Sequence, residues 1–427
     1  MDIEMFGSIF SAGLIMPRVG PPLTPDAPAL HITDEAAITP AHGEELRVDS
    51  LVGDGDSVAQ GQPLLRLRAM PDMYLTAPMA GRVAKIELRP GHRLSQMMLF
   101  HEAGGDRYAY DVSQAGHDTD ELRRVLQMSG LWRMLRSRPF GHVPKPGAIP
   151  AAIFVMATDS RPDAPDPLPR LASREEEFSR GLDALARLTE ARIFLCEAEA
   201  SSYTGALPGG VTRIRTGKVH PNGLSGLMIH RHMPARVEAP VWDIHAKDVA
   251  DIGSFLETGY VPATRVVSIS GDALREAKLV QCQPGADLRG LSQSLLRPGP
   301  HAVLSGSFLD GRPAHWLSHR DRQVTVLTRD TSTKNRHWFN EALDHVSRRA
   351  PIIPTAALDL AFGRALPSAA LIRILASGDV EGFTRLGGLS LLEEDVALAD
   401  YATGASPRLM TQLRALLDRI EEEEGVA

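Results

Sequence analysis

Apolar and polar positions change period several times along the chain, and each change marks a new unit. Between residues 40 and 100, short apolar runs alternate with turns. These are Val52-Gly53-Asp54-Gly55-Asp56-Ser57-Val58, Gly61 to Leu67, Ala77 to Val83, and Arg89-Pro90-Gly91-His92. Turn signals at this spacing predict a small flattened barrel or sandwich. From 111 to 135 the period lengthens, and Leu122, Val125, Leu126 and Leu131 predict a helix. The unbroken apolar run from Ala151 to Met156 predicts a buried strand, which ends in Thr158-Asp159-Ser160-Arg161. A breaker-rich linker, Asp163 to Pro167, follows. Arg174 to Thr189 then reads as an amphipathic helix. Phe178, Leu182, Leu185 and Leu188 share one face, and Glu175, Glu176 and Glu177 occupy the first turn, where the helix dipole favours them. Ala191 to Cys196 is a second strand, and strand–helix–strand predicts a βαβ crossover in a parallel sheet.

Further on, the run His220 to His232 places His230 and His232 on one face of an expected strand. Ala246 to Leu256 predicts a helix. From Thr264 the texture changes to a small α+β unit. Its expected parts are a strand and turn (Arg265 to Asp272), a turn and short helix (Cys282 to Leu291), and strands at Ala302 to Ser307 and Arg322 to Leu327. Leu386 to Glu424 reads as helical, with Leu413, Leu416, Leu417 and Ile420 on its apolar face, and Glu421 to Glu424 are expected to be solvated. Before His42 the chain carries Phe6, Ile9, Phe10, Leu14 and Ile15. This segment is either a strand and loop packed on the barrel or an arm that docks on a partner. The expected division is 1–110, 111–262, 263–330 and 331–427.

Composition narrows the function classes. A chain of 427 residues is long enough for two to four domains. A net charge of −7 and a pI near 6.1 argue against nucleic acid as a partner. No apolar run reaches the roughly 18 residues of a spanning helix. The opening residues include Asp2 and Glu4 and lack a basic n-region, which argues against a secretory signal. Two cysteines, Cys196 and Cys282, make no disulfide framework, and an iron–sulfur cluster needs about four.

Ligands of α/β proteins sit beyond the carboxyl ends of such strands, so a site is expected near Asp159. The preceding loop, Leu135 to Gly141, is bulky and has one glycine. Backbone N–H groups cannot cradle a phosphate there, although Arg136 and Arg138 offer guanidinium groups. The histidines at 220, 230 and 232 have no acidic or thiol neighbour to close a metal site. Their residue types favour a hydrogen-bonded structural or ligand-lining role over metal binding.

Several motifs resemble known modules. The turns at 40–100 resemble the biotinyl/lipoyl carrier module, but Pro71 stands where that module has its modified lysine, and an amide link needs an amine. Ser129-Gly130-Leu131-Trp132 with Leu135-Arg136 and Arg138-Pro139-Phe140, His220-Pro221-x-Gly223-Leu224-x-Gly226, and Leu392-Glu393-Glu394-Asp395-Val396-Ala397-Leu398 resemble the A-subunit family of sodium-translocating NADH:quinone reductases. That family is related to the flavin-carrying subunit of complex I and to the C subunit of the Rnf complex. The resemblance implies an α/β plus β fold: a barrel-sandwich hybrid module, a Rossmann-like domain, a soluble-ligand-binding β-grasp domain near Arg265 to Leu291, and a C-terminal helical segment.

The resemblance also implies a peripheral subunit without a cofactor, at the cytoplasmic face of a bacterial inner membrane. Membrane subunits of the same reductase complex would be its partners. Its role would be assembly and access of ubiquinone. Arg136, Arg138, Asp159, His220 and His230 are the quinone- or ligand-binding candidates, with no catalytic or metal residue. Flavin-binding relatives carry a Gly-Gly-x-Gly-Phe-Pro loop where this chain has Arg136 to Phe140, and iron–sulfur relatives carry cysteines where it has Ala399 to Thr403. Both departures oppose an NADH- or FMN-dependent enzyme, although Asp159 matches an acidic position near the dinucleotide. The alternative reading is a soluble adaptor that docks a reductase to a non-pumping oxidoreductase complex.

Overall fold

The computed structural model describes residues 12–24, 26–199, 202–329, 355–404 and 407–425. A short strand β1 (Ala29–Leu30) leads into a β-rich module built from β2 (Glu35–Ile38), β3 (Val48–Ser50), β4 (Ser57–Val58), β5 (Pro63–Leu67), β6 (Tyr74–Thr76), β7 (Gly81–Arg89) and β8 (Arg93–His101). Two antiparallel sheets form, in the orders β2-β8-β7-β4 and β3-β5-β6. Alternation puts Leu64, Leu75, Val83, Met97 and Leu99 inside. Pro71 sits on the exposed turn between β5 and β6.

Helix α1 (Thr119–Met128), capped by the Asp118 carboxylate accepting from the Asp120 N–H at 2.8 Å, leads into an α/β layer. Its strands are β9 (Arg136–Arg138), β10 (Ala152–Met156), β11 (Arg192–Ala198), β12 (Val211–Thr216) and β13 (Val241–His245), in the order β12-β11-β10-β13-β9. The first four in that order are parallel and β9 is antiparallel to β13. Met156 pairs with both Cys196 and His245, so the carboxyl ends of the three central strands lie level.

Between β10 and β11 run α2 (Leu168–Leu171) and α3 (Glu175–Leu188), and α4 (Ser225–His232) and α5 (Ala246–Thr258) flank β13. Odd-numbered strand residues such as Ile153, Val155, Ile193 and Leu195 face α3 and α5. There Gly181 and Gly253 let the two helices touch. A Cβ on Gly253 would lie 1.7 Å from the Glu177 carbonyl oxygen, and one on Gly181 1.9 Å from that of Val249. The even-numbered Phe154, Met156, Phe194 and Cys196 face α4 and the C-terminal helices.

A six-stranded sheet follows, from β14 (Arg265–Ser270), β15 (Lys278–Cys282), β16 (His301–Ser305), β17 (Arg312–Pro313) and β18 (Gln323–Thr328) together with β1, and α6 (Leu288–Ser292) lies beside it. The order is β1-β15-β14-β18-β16-β17. The described C-terminal helices are α7 (Ala356–Ala361), α8 (Ser368–Ser377), α9 (Val380–Arg385), α10 (Glu393–Thr403) and α11 (Leu409–Glu424).

Several expectations change. The helix expected over 111–135 shrinks to α1 and a 3₁₀ turn at Leu131–Met134, because Gly130 breaks it at φ 76°. His230 and His232 lie on helix α4, not on a strand; Leu227, Met228 and Ile229 are all buried, which a helix between two layers allows. The helical region ending at Glu424 is interrupted between α10 and α11, after Gly404 at φ 59° and around Pro407. Three residues of the supposed loop 135–141 form the edge strand β9. Strands β12, β13 and β15 lacked a sequence expectation.

Phe6, Ile9 and Phe10 fall outside the described residues. Of the rest of the N-terminal segment, Glu35–Ile38 joins the barrel as β2, as one reading expected, whereas the residues before it lie against other units. The Leu14 N–H donates to the His220 carbonyl at 2.9 Å, Leu23 bridges to Ala277, and β1 pairs with β15.

Candidate functional site

The carboxyl ends of β10 and β13 open into a cleft of about 480 Å³. Its walls come from all four regions: Thr39 to His42 after β2, Asp159, Arg161, Asp243 and His245 of the α/β layer, Asp310, Arg312 and 319–322 of the six-stranded sheet, and Glu393, Glu394 and Arg414 of the C-terminal helices.

One corner is a closed ionic knot. Arg138 on β9 is fully buried, and each of its five N–H groups has an acceptor. Nε donates to Asp243 at 3.1 Å, Nη1 to the Ser390 carbonyl at 2.7 Å and to Asp395 at 2.8 Å, and Nη2 to Ser225 at 2.8 Å and Glu394 at 3.0 Å. Arg136, two residues along the same strand, shares Asp243 at 2.9 Å, Glu394 at 2.7 Å and Ser225 at 3.2 Å. Burial alone would raise the Asp243 carboxyl, but Arg136 and Arg138 outweigh it and draw its pKa down to about 2. Burial holds Asp395 above the ordinary carboxylate range despite Arg138. Helix α4 approaches this corner through Gly226, where a Cβ would lie 2.0 Å from Asp395 Oδ2.

The five residues singled out in the sequence are thus dispersed. Arg136 and Asp159 line the cleft. Arg138 lies behind it with no donor left to offer. The Asp159 carboxylate is taken by Arg161, whose Nη2 lies 2.6 Å away and whose Nη1 reaches Asp310 at 3.2 Å. His220 is buried beneath the cleft, with Nδ1 3.1 Å from Ser160 Oγ and no partner for Nε2 among the described residues. Burial pushes its pKa down to about 4, so the ring is neutral at pH 7. His230 points elsewhere, 3.2 Å from the Gly387 carbonyl.

Sequence pattern alone did not single out Arg161, His245, Asp248, Arg312, Arg320 or Arg322, all of which line the cleft. One signal was available. His245 precedes an expected helix, and it caps α5 by accepting from the Lys247 N–H at 3.1 Å. Arg322 opens an expected strand and Arg320 precedes it, but neither gave a pattern. Among the described residues no cluster of His, Cys, Asp or Glu could hold a metal. Burial raises both cysteine thiols well above their ordinary value, so neither is a nucleophile at neutral pH. The arrangement can bind and orient charged or polar groups, and it locks three regions of the chain together.

Comparison with known proteins adds to this geometry. Residues 11–99 match the family model described as the NqrA N-terminal barrel-sandwich hybrid domain, and residues 117–261 match the NqrA second alpha/beta domain. The chain is 33% identical to the A subunit of the Na(+)-translocating NADH-quinone reductase of Histophilus somni, over 89% of this chain and 93% of that protein. It is 32% identical to the protein of that name from Shewanella amazonensis, over 96% of this chain and 98% of that protein. With the one from Pseudomonas aeruginosa PAO1 it shares 34% identity over 86% and 89% of the two chains.

Proposed function

This chain belongs to the family formed by the A subunits of Na(+)-translocating NADH-quinone reductases, and we propose that it serves as a peripheral subunit of such a reductase that holds no redox cofactor of its own. Its work is assembly, together with access of quinone to the complex. The reading divides the chain at 1–110, 111–262, 263–330 and 331–427, with a Rossmann-like second unit and a β-grasp third. No helix among the described residues is long and apolar enough to cross a membrane, which fits a peripheral place.

The observation that carries the proposal is Arg138. In the flavin-binding relatives that the motifs resemble, the corresponding loop grips a phosphate. Here its side chain donates to β13, α4 and the start of α10, so the loop binds protein to protein. Of the candidate ligand contacts, Arg136 and Asp159 border the cleft; a quinone carbonyl would find donors in the Arg136 and Arg161 guanidiniums, while the Asp159 carboxylate orients Arg161. Quinone pockets are largely apolar with one or two donors, and Met134, Met156, Leu224, Ile244 and Met410 are among the apolar residues of this lining.

Affinity purification of the tagged chain from solubilised membranes tests the assembly role. Co-migration of the membrane subunits of an NADH-quinone reductase is the expected result. Capture of a soluble oxidoreductase instead would replace this reading with the adaptor one. Quinone access is tested by titrating a short-chain ubiquinone; no saturable binding at tens of micromolar, roughly −6 kcal/mol, removes it.

A further inference from the structure

A second part of the cleft contrasts with the knot, because several of its donors lack acceptors among the described residues. Arg320 donates Nε and Nη2 to the Arg133 carbonyl at 3.3 and 2.9 Å, and Nη2 also to the Leu135 carbonyl at 2.6 Å. No carboxylate lies within salt-bridge distance of it among the described residues. Arg312 forms neither a side-chain hydrogen bond nor an ion pair among the described residues. Glu393, whose charge acts on Arg312, is already held by Arg414 through two contacts of 2.8 Å.

Arg322 is more than nine-tenths buried. It gives Nη1 to the Arg320 carbonyl at 2.9 Å and Nη2 to Asp248, and leaves Nε unpaired. His245 accepts at Nδ1, so the proton of its neutral ring is on Nε2, which has no acceptor among the described residues. Among the described residues neither ring nitrogen of His319 has a hydrogen bond of good geometry, the Arg133 backbone being a polar contact. Unpaired buried donors concentrated along one cleft mark a place where acceptors belong. Water would satisfy the neutral imidazoles. It would not offset two guanidinium charges that lack a direct ion-pair partner among the described residues, whereas an oxyanion does both.

We propose that this wall, formed by Arg312, Arg320, Arg322, His245 and His319, binds a small soluble oxyanion, the phosphate or carboxylate group of a metabolite. Most of the acids around the cleft do not compete, since Asp159, Asp243, Asp248 and Glu393 are each held by an arginine. Asp321 is the exception. Burial keeps it above the ordinary carboxylate range, and it accepts from the Ser305 hydroxyl at 2.5 Å. Its carboxyl turns to Ser305 and forms no ion pair with Arg320 or Arg312 among the described residues, which leaves both available. The Arg320 charge is itself disfavoured, with burial and Arg136 pushing its pKa down to about 10. A bound anion offsets that penalty.

Calorimetric titration of the full chain at low ionic strength, with inorganic phosphate and separately with citrate, tests the proposal. One saturable site is expected for at least one of them, weakened about tenfold or more in Arg312→Gln. The Arg312 side chain makes no hydrogen bond or ion pair among the described residues and the substitution leaves the backbone pairing of β17, so this variant should keep the parent melting temperature. Arg385→Gln, on an exposed helix face, should bind like the parent. Three outcomes overturn the site: no saturable heat up to about 10 mM, equal weakening by both variants, which signals surface screening, or full binding in Arg312→Gln. Saturation by phosphate only, or by citrate only, supports the site and identifies which group it takes.

Discussion

Two corners of the same cleft use arginine in opposite ways. Around Arg138, two guanidiniums meet three carboxylates, a hydroxyl and a carbonyl, and every N–H of Arg138 is spent. Around Arg312 and Arg320, guanidiniums face the cleft without a carboxylate of their own among the described residues. The same residue type therefore closes one corner and leaves the other open to a ligand. The difference lies in the carboxylates that each region brings. Helix α10 starts with Glu393, Glu394 and Asp395, and the last two insert into the knot. The 319–322 segment contributes Asp321, which turns to Ser305 instead.

The strongest way to break this contrast is Arg138→Met. It leaves Asp243, Glu394 and Asp395 facing one another without their shared partner. Loss of one member of a buried ionic group costs about 3–5 kcal/mol. Urea denaturation should show this as a lower midpoint with an unchanged slope. Adding Asp395→Asn should recover part of the loss, because the two residues couple. A loss below about 1 kcal/mol in the single variant would mean that the knot does not hold the regions together.

Acid separates the corners next. The folded pKa of His220 is depressed to about 4 by burial, against Asp159 and Asp310, which act to raise it. The unfolded chain therefore takes up a proton that the folded chain refuses. The resulting stability is fully present above about pH 6.5 and is lost as pH falls toward 4, about 3 kcal/mol in all. His245 and His319, also depressed by burial, add in the same direction. Asp243 is depressed to about 2, so its contribution is present above about pH 4 and fades only as pH falls through about 2. Asp395, raised by burial, acts against the histidines, because its folded form takes a proton first as pH falls. Stability measured from pH 7 to 4 should decline, and His220→Asn should flatten that decline. An identical slope in the variant would exclude His220 as a source.

Much of this architecture is legible in the sequence, and the reason is periodicity. The α3 pattern of Phe178, Leu182, Leu185 and Leu188 is the observed buried face, and the apolar runs at 151–156 and 191–196 are the parallel pair β10 and β11. Barrel turns announced themselves through glycine and proline. The site was less legible because its residues pair across long sequence distances. Arg138 and Asp395 are 257 positions apart, and Arg161 and Asp310 are 149. Motifs pointed to Arg136 and Arg138 but could not tell a spent guanidinium from a free one. Conversely, Arg312 and Arg320 follow no pattern, since an unpaired charge is defined by what fails to approach it. His230 was misplaced because a strand period was read into a run that folds as helix.

A smaller perturbation of the closed corner is Gly226→Ala. The added methyl would sit 2.0 Å from Asp395 Oδ2 and push helix α4 away from α10. Overpacking of this kind costs about 1–3 kcal/mol. Thermal melting should register a decrease of several degrees, and combination with Arg138→Met should cost less than the sum, since both act on Asp395. Full additivity would place Gly226 outside the knot.

The smallest stability effect, and the sharpest test of the contrast, belongs to Arg414→Gln. Arg414 is 29% exposed at its side chain and holds Glu393 through Nε and Nη2, while Nη1 donates to the Phe140 carbonyl at 3.0 Å. A partly exposed pair of this geometry contributes about 1 kcal/mol or less. Removing Arg414 frees the Glu393 carboxylate, whose charge already acts on Arg312. Glu393 can then neutralise Arg312, which closes the open corner in the way that Asp243 closes the other. The variant should therefore stay within about 1 kcal/mol of the parent in urea, yet bind phosphate or citrate several-fold more weakly. Unchanged anion affinity in a well-folded Arg414→Gln chain would show that carboxylate supply is not what separates the two corners.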